Sequence, residues 1–326
     1  MKPLVSIIMI VYDVEAYLCS SIDSVLAQTY DNIELILSVS PGKDRCEEIC
    51  REYAAKDARI KVVECPPKGP SDARNHGLAA VSGDYLGFVD ADDYIESDMI
   101  ESMMANLSTY DADIAVCGRF YEFMNVTEQD TAKAPVVMTA DEAVNTVLSG
   151  EGFFLHCWDK LFTRKIFDGL QFPTDVAVED RVVVDRLLGK ADRIVYDSTP
   201  KYHFRERSGS LSKMRGMTRK NVIANEMLAE YVRINHPAVK DQCGRFMLYE
   251  YITAVQNVLV SDDCDKDDLR EYRNKVSEIY KREKRNPLIS SRIRIKVLMV
   301  KLAPSLLRTV TKKRQANTAE NYKRFP

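Results

Sequence analysis

Three closely spaced carboxylates follow a short apolar run in the first third of the chain. The run covers residues 85–89 after Gly83, and the acids are Asp90, Asp92 and Asp93. Such a run is typical of a buried β-strand. Carboxylates at the carboxyl end of a strand suit Mg²⁺ or Mn²⁺, which proteins hold through one or two carboxylates and substrate phosphates. The residues alone also allow a polar turn that caps the next helix.

The elements that must position these acids alternate along the chain. Strands are predicted at residues 4–11, 33–39, 60–63, 85–89 and 114–117, and helices at residues 14–28, 43–57 and about 73–81. This alternation predicts an α/β fold with a doubly wound, mostly parallel sheet. The turn after the first strand, VYDVEAY, has no glycine-rich fingerprint, which disfavours a dinucleotide-binding site.

The pattern changes beyond residue 118. Residues 119–140 lose periodicity and are expected to connect two halves, and residues 141–212 alternate short apolar and polar pieces. Helices are predicted at about 219–235, 243–260, 266–283 and 290–316. The expected organisation is therefore one domain over residues 1–212, with halves 1–118 and 119–212, followed by a helical region over residues 213–326.

Composition limits the classes of function. The 326 residues are 45% hydrophobic and 29% charged, as in soluble globular proteins, and a net charge of −3 gives no overall attraction to nucleic acid. No uncharged apolar run approaches the ~20 residues of a membrane span. The 8 cysteines lack paired CxxC spacing and suit a reducing compartment. We therefore expect a cytoplasmic protein, or one bound only at a membrane surface.

The predicted helix at residues 290–316 concentrates basic side chains around an apolar core. They are Arg292, Arg294, Lys296, Lys301, Arg308, Lys312, Lys313 and Arg314. The helix could lie on an anionic membrane with these side chains at the headgroups. Alternatively, it packs on its own domain with solvated charges. Pro304 is expected to kink or break it in either case.

Taken together, the motifs resemble those of glycosyltransferase family 2, of the bacterial cell-surface glycan type. The matching segments are PLVSIIMIVYDVEAYL, SIDSVLAQTYDNIELI, GPSDARNHGL, GDYLGFVDADDYI, the pair at 179–180 and the segment 202–212. They occur in the family's order and cover about residues 1–212. The resemblance implies a GT-A fold in that domain, with a nucleotide-sugar-binding half and an acceptor-side half.

The resemblance also implies a metal site and a catalytic base. Asp90 and Asp92 match the family's Asp-x-Asp motif, in which the second acid usually binds Mn²⁺ or Mg²⁺ and the first contacts the ribose or metal. Asp93 could cap the next helix or orient a ligand. Asp180, beside Glu179, matches the usual general base of inverting members, which takes the proton of the attacking acceptor hydroxyl. Two acids favoured in the first turn of a helix are the plainer interpretation of this pair.

Donor and acceptor contacts are implied in the same way. The donor-binding residues are Arg74, Asp90, Asp44, Tyr12, Arg205, Arg207, Ser210 and Ser212. The last four belong to a basic, serine-containing loop that is expected to close over the diphosphate and exclude water. Trp158 and Asp159 match a place where the family often builds its acceptor site, because an aromatic face can stack on a sugar ring. Core packing of Trp158 is the alternative, and His203 is either an extra metal ligand or a structural residue.

One departure from the family pattern follows the second strand. The family usually has two consecutive acids where this chain has Val39 and Ser40, and only the later Asp44 is retained. A valine side chain cannot accept a hydrogen bond from uracil. A nucleotide sugar is therefore expected as donor, with UDP-sugar as the first candidate and the base left open.

The leading hypothesis is an inverting, metal-dependent glycosyltransferase of the hexosyltransferase type. It would move a sugar from a nucleotide-sugar donor to a hydroxyl of a cell-surface polysaccharide or a lipid-linked glycan, at the inner face of the plasma membrane or in the cytoplasm. The alternative is a non-catalytic nucleotide- or glycan-binding relative, which the loss of acids at Val39 and Ser40 suggests. A nucleotidyltransferase would ordinarily carry a glycine-rich loop after the first strand, which is absent here.

Overall fold

The computed structural model describes residues 2–174, 178–208, 217–261 and 265–325. Its strands are β1 Val5–Val11, β2 Ile33–Val39, β3 Ile60–Glu64, β4 Tyr85–Phe88, β5 Tyr94–Ile95, β6 Ile114–Glu122, β7 Thr127–Gln129, β8 Val136–Met138, β9 Lys160–Thr163 and β10 Ile194–Arg205. Its α-helices are α1 Glu15–Leu26, α2 Cys46–Lys56, α3 Pro70–Ala79, α4 Met99–Tyr110, α5 Ala140–Ser149, α6 Glu179–Lys190, α7 Met217–Asn235, α8 Lys240–Val260, α9 Lys266–Glu283, α10 Ser291–Leu302 and α11 Pro304–Asn321.

The strands of the described residues form one mixed sheet. Its order is β3-β2-β1-β4-β9-β6-β10-β5, with β7 beside β6 and β8 beside β10. Strands β1 to β4 are parallel to their neighbours in this set, as are β6 and β10, whereas β9 runs antiparallel between β4 and β6. The predicted α/β class with a mostly parallel sheet is therefore confirmed.

Burial explains why the first strands are almost continuously apolar. Every residue of β2 is buried, and so are all but one of β1, as expected for strands covered on both faces. Helix α1 buries Leu18, Ile22 and Val25, the apolar positions whose helical spacing predicted it. The parallel strands consequently end at one edge of the sheet, and that edge carries the polar segments singled out above.

Residues 119–140 are more than a connection between two halves. Strand β6 continues to Glu122, and two further short strands, β7 and β8, pair with β6 and β10. All three residues of β7 are exposed, so their own sequence carries no alternating apolar signal. The pairing is supplied by the neighbouring strand, which periodicity alone does not reveal.

The chain divides into two compact units. One contains Met1–Glu122, Thr127–Ala143 and Gly152–Glu206, and the other contains Phe123–Val126, Val144–Glu151 and Arg207–Pro326. The second unit has its own core, in which α8 residues such as Leu248 and Val255 pack with Val276 of α9 and Val297 of α10. The domain boundary expected near residue 212 lies outside the described residues and stays a prediction.

The predicted helix at residues 290–316 is two helices. Helix α10 ends at Leu302, Ala303 leaves the helical conformation at φ −140°, and α11 begins at Pro304. Proline has no backbone N–H to continue α10, but it suits the first position of a new helix. The expected break at Pro304 is therefore confirmed. Within the described residues, none of the helices has the length and apolar content that a bilayer crossing requires.

Glu34 ties the first two strands to the turn before β4. Its buried carboxylate accepts hydrogen bonds from Ser6 Oγ and from the N–H and Oγ of Ser82, and it pairs with Lys61 Nζ. Burial raises the pKa of Glu34, but Lys61 and the two serines outweigh burial and lower it to about 2. The folded structure therefore stabilises the charged form of the Glu34 carboxylate.

Glu34→Gln is expected to lower the free energy of unfolding at neutral pH. Because the pKa of Glu34 is about 2 in the folded protein and 4.5 for a free glutamate side chain, the contribution of Glu34 is complete above pH 4.5 and is lost as pH falls toward 2. Such a shift corresponds to roughly 3 kcal/mol. Urea unfolding between pH 4.5 and pH 2 should therefore show that the free energy of unfolding falls less steeply with pH in the variant than in the wild type. A pH profile parallel to that of the wild type would contradict the assignment.

Candidate active site

The acidic motif lies in the loop between β4 and β5. Asp90, Asp92 and Asp93 each place one carboxylate oxygen within 4.8 Å of the others. Asp90 and Asp92 are half-buried, whereas Asp93 is buried. This loop follows the carboxyl end of β4, next to β1 in the sheet. Hard oxygen ligands therefore meet where the sequence analysis expected a metal site.

Asp93 holds this loop together from within. Its Oδ1 accepts the backbone N–H of Arg205 at 2.8 Å, and its Oδ2 accepts the hydroxyl of Tyr202 at 2.9 Å. Its own N–H donates to the carbonyl of Asp90 at 3.0 Å. Burial, with the charges of Asp92 and Asp90, raises the pKa of Asp93 well above its usual value. Both of its oxygens therefore serve the loop, and Asp90 and Asp92 are the two remaining carboxylates of the motif.

Tyr202 of β10 is a site residue that sequence reasoning missed. Its hydroxyl accepts the N–H of Asp90 at 3.1 Å and donates to Asp93, so one oxygen ties both ends of the motif. The ring is fully buried and stacks on Trp158 at 4.4 Å. In the sequence it is marked only by its position at the start of the segment 202–212, whose basic and hydroxyl side chains carry the resemblance.

Tyr202→Phe is expected to weaken divalent-metal binding about tenfold, because a hydrogen bond to a charged group contributes roughly 1.5–3 kcal/mol and its loss frees the loop. Titration calorimetry with Mn²⁺ would measure the change. Tyr53→Phe is a matched control, since the Tyr53 hydroxyl donates to Asp23 at 2.9 Å on two helices outside this loop. A Tyr202 variant that loses stability but binds Mn²⁺ as the wild type does would rule out this positioning role.

Arg74 lies at the centre of the site. Its Nη2 is 3.7 Å from Asp90 Oδ1, its Nη1 is 3.3 Å from Asp180 Oδ1, and Nη1 also donates to Glu179. The side chain is buried and lies 5.5 Å from the ring of Phe172. Burial opposes its charge, but Asp180, Glu179 and Asp90 outweigh burial and raise the pKa of the guanidinium. One permanent cation therefore joins the acidic loop to the acid pair of α6.

The segment GPSDARNHGL explains how Arg74 is positioned. A Cβ atom at Gly77 would lie 2.6 Å from a side-chain carbon of β1, so only glycine lets α3 lie this close to the sheet. Asn75 donates to the carbonyl of Phe172 and accepts its N–H, both at 2.8 Å, and Ser71 donates to the carbonyl of Pro173 at 2.6 Å. Helix α3 thus holds both Arg74 and the chain just before α6.

Glu179 and Asp180 open α6 and differ in their bonding. Glu179 pairs with Arg74 and accepts the N–H of Val178 at 3.2 Å. Val178 has φ 92°, a left-handed conformation that costs a β-branched residue roughly 1–3 kcal/mol. Asp180 Oδ1 is buried and has no hydrogen-bond partner among the described residues. Burial raises the pKa of Asp180, and Arg74 offsets this only in part.

Arg205 supports the acidic loop. Its guanidinium donates to the carbonyl of Asp92 at 3.0 Å and to Ser20 Oγ at 3.2 Å, and it lies 4.4 Å from the centre of the Tyr94 ring. The expected contact with a diphosphate would compete with these bonds. Arg207 forms a single β-bridge with Phe325 in the second unit. Ser210 and Ser212 lie outside the described residues.

Trp158 and Asp159 are both buried, and their expected role in acceptor binding stays a prediction. Trp158 is only 5% exposed and stacks on the buried Tyr202. Asp159 has no exposed surface; it pairs with Lys160 and lies 3.7 Å from Arg119 Nη1. The core-packing alternative therefore describes Trp158, because its apolar ring fills the layer behind the acidic loop.

His156 is a second residue that sequence reasoning missed. Its half-buried ring lies over Trp158, 5.1 Å away with the planes 12° apart. Burial, then the nearby cations beginning with Lys160, lower its pKa to about 3, so it is neutral near pH 7. Burial and the charges of Asp180 and Glu179 raise the pKa of the adjoining Cys157 thiol, so this residue lies near the acid pair. A single histidine has no spacing pattern that would have identified it.

His203 is a structural residue. Its Nδ1 and Nε2 are hydrogen-bonded to Glu122 at 2.7 Å and to Glu96 at 2.8 Å. Its ring lies between those of Tyr94 and Phe120, with centroids 4.1 Å away on both sides. Since both nitrogens and both faces are engaged, the structural alternative for His203 describes its surroundings.

Tyr12 and Asp44 lie at the carboxyl ends of β1 and β2. Tyr12 is 51% exposed, which leaves its ring available to a ligand. Asp44 accepts the backbone N–H of Glu15 at 2.9 Å and that of Cys46 at 3.2 Å. Asp44 therefore links the first turns of α1 and α2, and its expected contact with a donor would be additional to this structural role.

The site of the missing acids is closed. Val39 and Ser40 are both buried, and Ser40 Oγ contacts Cys65 Sγ at 3.3 Å. The carboxylate of Asp72 lies close by. Burial raises the pKa of Cys65, and the charge of Asp72 is near enough to add to that rise. Asp72 Oδ2 is buried without a hydrogen bond among the described residues, 3.5 Å from His76 Nδ1. Asp72 therefore supplies an acid near the point where β2 and β3 end.

Comparison with known sequences identifies relatives of the first unit. Residues 6–171 match the family described as Glycosyl transferase family 2. The chain is 32% identical over 224 residues to Glycosyltransferase GlyA of Streptococcus pneumoniae serotype 4, an alignment that covers 64% of this chain and 32% of the relative. It is 34% identical over 224 residues to the uncharacterized glycosyltransferase EpsJ of Bacillus subtilis, covering 66% and 64%. It is 26% identical over 215 residues to the minor teichoic acid biosynthesis protein GgaB of Bacillus subtilis, covering 64% and 24%. The chain thus matches from about a quarter to about two thirds of these relatives' lengths.

Solved structures share the fold. A crystal structure of S. aureus TarS residues 1–349 in complex with UDP-GlcNAc superimposes with a TM-score of 0.71 at 18% identity, covering 96% of this chain and 92% of that one. A mannosyltransferase, PcManGT from Pyrobaculum calidifontis in complex with GDP-Man and Mn²⁺, gives a TM-score of 0.55 at 15% identity, covering 95% and 87%. The expected GT-A fold is confirmed.

Proposed function

Because the chain belongs to glycosyltransferase family 2, we propose that it is an inverting glycosyltransferase acting on cell-surface polysaccharide or a lipid-linked glycan. Glycosyl transfer is the chemistry of the family, and relatives such as GlyA and GgaB connect it with glycan and teichoic acid synthesis. The hexosyl specificity, the inversion and the acceptor class are our inferences. The observation that supports the transfer chemistry is the Arg74 cluster, in which one guanidinium joins Asp90 to Asp180.

Asp180 is the general base of this proposal. Its Oδ1 is buried and without a hydrogen bond among the described residues, so it has capacity for the proton of an acceptor hydroxyl. Glu179 pairs with Arg74 and a backbone N–H, which suits a positioning role. As the acceptor oxygen bonds to the anomeric carbon, its proton passes to Asp180. The bond from that carbon to the diphosphate breaks with its electron pair, which inverts the anomeric configuration.

Asp90 and Asp92 are proposed to hold Mn²⁺ or Mg²⁺. Two half-buried carboxylates with hard oxygen donors fit such an ion, which ordinarily takes its other ligands from phosphates and water. When bound, the ion would neutralise charge on the leaving nucleoside diphosphate. The Mn²⁺ in the PcManGT structure supports this choice. Burial raises the pKa of Asp90 to about 7 against the opposing charge of Arg74, with Asp92 adding to the rise.

We infer that the donor is a UDP-sugar, and that its uracil base is recognised by a residue outside the usual family position at Val39. The TarS structures hold UDP-GlcNAc and UDP, which supports uridine as the base. The side chain of Val39 offers no acceptor atom for uracil, so we assign base recognition to Asp72, whose Oδ2 has no hydrogen bond among the described residues. Tyr12 is half-exposed and would stack on the base.

The remaining expected contacts belong to the same proposal. Arg205, Arg207, Ser210 and Ser212 would close over the diphosphate, and Asp44 would support the donor side. On the acceptor side, Trp158 and Asp159 stay a prediction, and we add the half-buried His156, whose ring stacks on Trp158. Residues 1–212 would form the catalytic domain and residues 213–326 a helical region, and the protein would work at the inner face of the plasma membrane.

A donor screen tests the proposed function. Release of nucleoside diphosphate would be measured from uridine, guanosine, cytidine and thymidine sugars with Mn²⁺, with Mg²⁺ and with a chelator. We expect metal-dependent release from a UDP-sugar, and loss of the preference for uridine in Asp72→Ala, which removes the acceptor oxygens. Asp31→Ala, at a side chain 82% exposed, is the control. Tight nucleotide binding without turnover of any donor, even with acceptor glycans present, would instead favour the non-catalytic relative suggested by Val39 and Ser40.

A further inference from the structure

The last two helices expose apolar side chains that the fold does not use. Helices α10 and α11 already bury one row each in the core of the second unit, including Ile293, Val297 and Leu307. A second set faces solvent: every member is at least half exposed, and Leu302 is 80% exposed. We call this set the apolar row; it consists of Ile295, Leu298, Leu302, Leu306 and Val310.

The spacing places the apolar row on one face of each helix. The α10 members recur after three and four residues, and the α11 members Leu306 and Val310 are four apart. Pro304 separates Leu302 from Leu306, so the most exposed leucine lies beside the break between the helices. Each helix is thus apolar on two faces, one of which packs on the protein while the other has no partner among the described residues.

The same helices carry a concentrated positive charge. Between residues 290 and 319 the chain has eight lysines and arginines and no acid, although the whole protein has a net charge of −3. Arg294 donates to the carbonyl of Lys284, Lys296 lies over the ring of Tyr249 and Lys301 over that of Tyr280, so these three serve the fold. The other five are exposed and form no ion pair with any described residue: Arg292, Arg308, Lys312, Lys313 and Arg314.

Helix α7 provides an internal comparison. It also exposes apolar side chains, Ile223, Met227 and Ile234. Glu226 and Glu230 lie among them in the sequence, and Arg219 and Arg233 of this helix form ion pairs with Asp268 and Glu230, so most of the positive charge of α7 is compensated. Exposed apolar residues are therefore not special to α10 and α11; their combination with uncompensated basic side chains is.

We propose that α10 and α11 dock this protein on the surface of an anionic lipid bilayer. The apolar row enters the boundary between headgroups and acyl chains, and the five exposed basic side chains contact lipid phosphates. A nucleic acid would match the charge but leave the apolar row in water. A second copy of the chain would bury the row but bring like charges together. The bilayer surface satisfies both features.

Vesicle binding by the full chain tests this docking without any nucleotide sugar. We expect cosedimentation with phosphatidylglycerol vesicles, release by high salt, and little binding to phosphatidylcholine vesicles. Leu302→Asp should weaken binding at least about tenfold. Replacing Lys312, Lys313 and Arg314 by glutamine should weaken it roughly a hundredfold, since each basic residue near an anionic surface contributes about 1 kcal/mol. Ile234→Asp on α7 should bind as the wild type does.

Several results would overturn the docking proposal. These are equal binding to neutral and anionic vesicles, unchanged binding of the Leu302 variant, or binding to RNA but not to vesicles. A concentration-dependent dimer that Leu302→Asp dissociates would identify a second copy as the partner. The docking proposal does not rest on the transferase function. Vesicle binding is measured without a nucleotide sugar, and donor turnover is measured without lipid. Nucleotide binding by each variant shows that the fold is intact, so failure of either proposal is recognised separately.

Discussion

Asp180→Asn is expected to lower the rate of sugar transfer about a thousandfold, within the range that a positioned general base contributes. The amide keeps the size of the side chain but cannot take the proton of the acceptor hydroxyl. Arg74 retains Glu179 and Asp90 as partners, so the cluster should remain folded and the affinity for the donor should change little. Steady-state kinetics with separate kcat and KM values would measure the effect.

Asp185→Asn is the matched control for this substitution. Asp185 lies on the same helix, is also buried, and has an oxygen without a hydrogen bond among the described residues. Burial raises its pKa to about 8, so it is mostly uncharged at pH 7 and an amide should replace it at little cost. Transfer by the Asp180 variant at the rate of the Asp185 variant would contradict the assignment of the base.

The pH dependence provides a second readout of the same residue. Because burial raises the pKa of Asp180 above the ordinary value of an aspartate, the base takes up its proton at a higher pH than a free aspartate does. The transfer rate of the wild type should therefore decline on the acid side from a pH above that value. The residual activity of Asp180→Asn should lack this decline.

Asp92→Ala is expected to abolish the dependence of activity on divalent metal and to lower kcat roughly a hundredfold, since a metal contributes several kcal/mol of charge stabilisation. Asp93 cannot replace the lost ligand, because Tyr202 and the backbone of Arg205 engage both of its oxygens. Mn²⁺ binding measured by calorimetry or electron paramagnetic resonance should weaken in parallel. This readout does not require turnover, so it separates loss of the metal from loss of the enzyme.

Asp84→Ala is the control for the metal prediction. Asp84 is an exposed aspartate at the opposite, amino end of β4, where its backbone carbonyl rather than its side chain accepts the N–H of Arg164. Its variant should bind Mn²⁺ and respond to chelator as the wild type does. If Asp92→Ala also keeps its response to chelator, the ion is bound elsewhere and the role of Asp92 must be abandoned.

Local sequence patterns were sufficient to predict most strands and helices of the first unit. Apolar runs predicted β1, β2, β3 and β4 to within one or two residues, because strands covered on both faces leave few polar positions. Helical spacing identified the buried side of α1, and the proline rule located the break between α10 and α11. Strand β7 was missed since all of its residues are exposed and only pairing with β6 defines it.

The sequence by itself determined the fold class, the order of the motifs and the kinds of side chain at the site. These features depend on composition and on apolar residues that recur every two to four positions, which the sequence shows directly. Only the tertiary structure decided what those side chains do. Arg74 meets Glu179 across 105 residues, Tyr202 meets Asp93 across 109, and Trp158 and Asp159 are buried behind the acidic loop. Such contacts arise where α3, α6 and β10 converge on the end of β4, and no local pattern encodes which distant elements will meet.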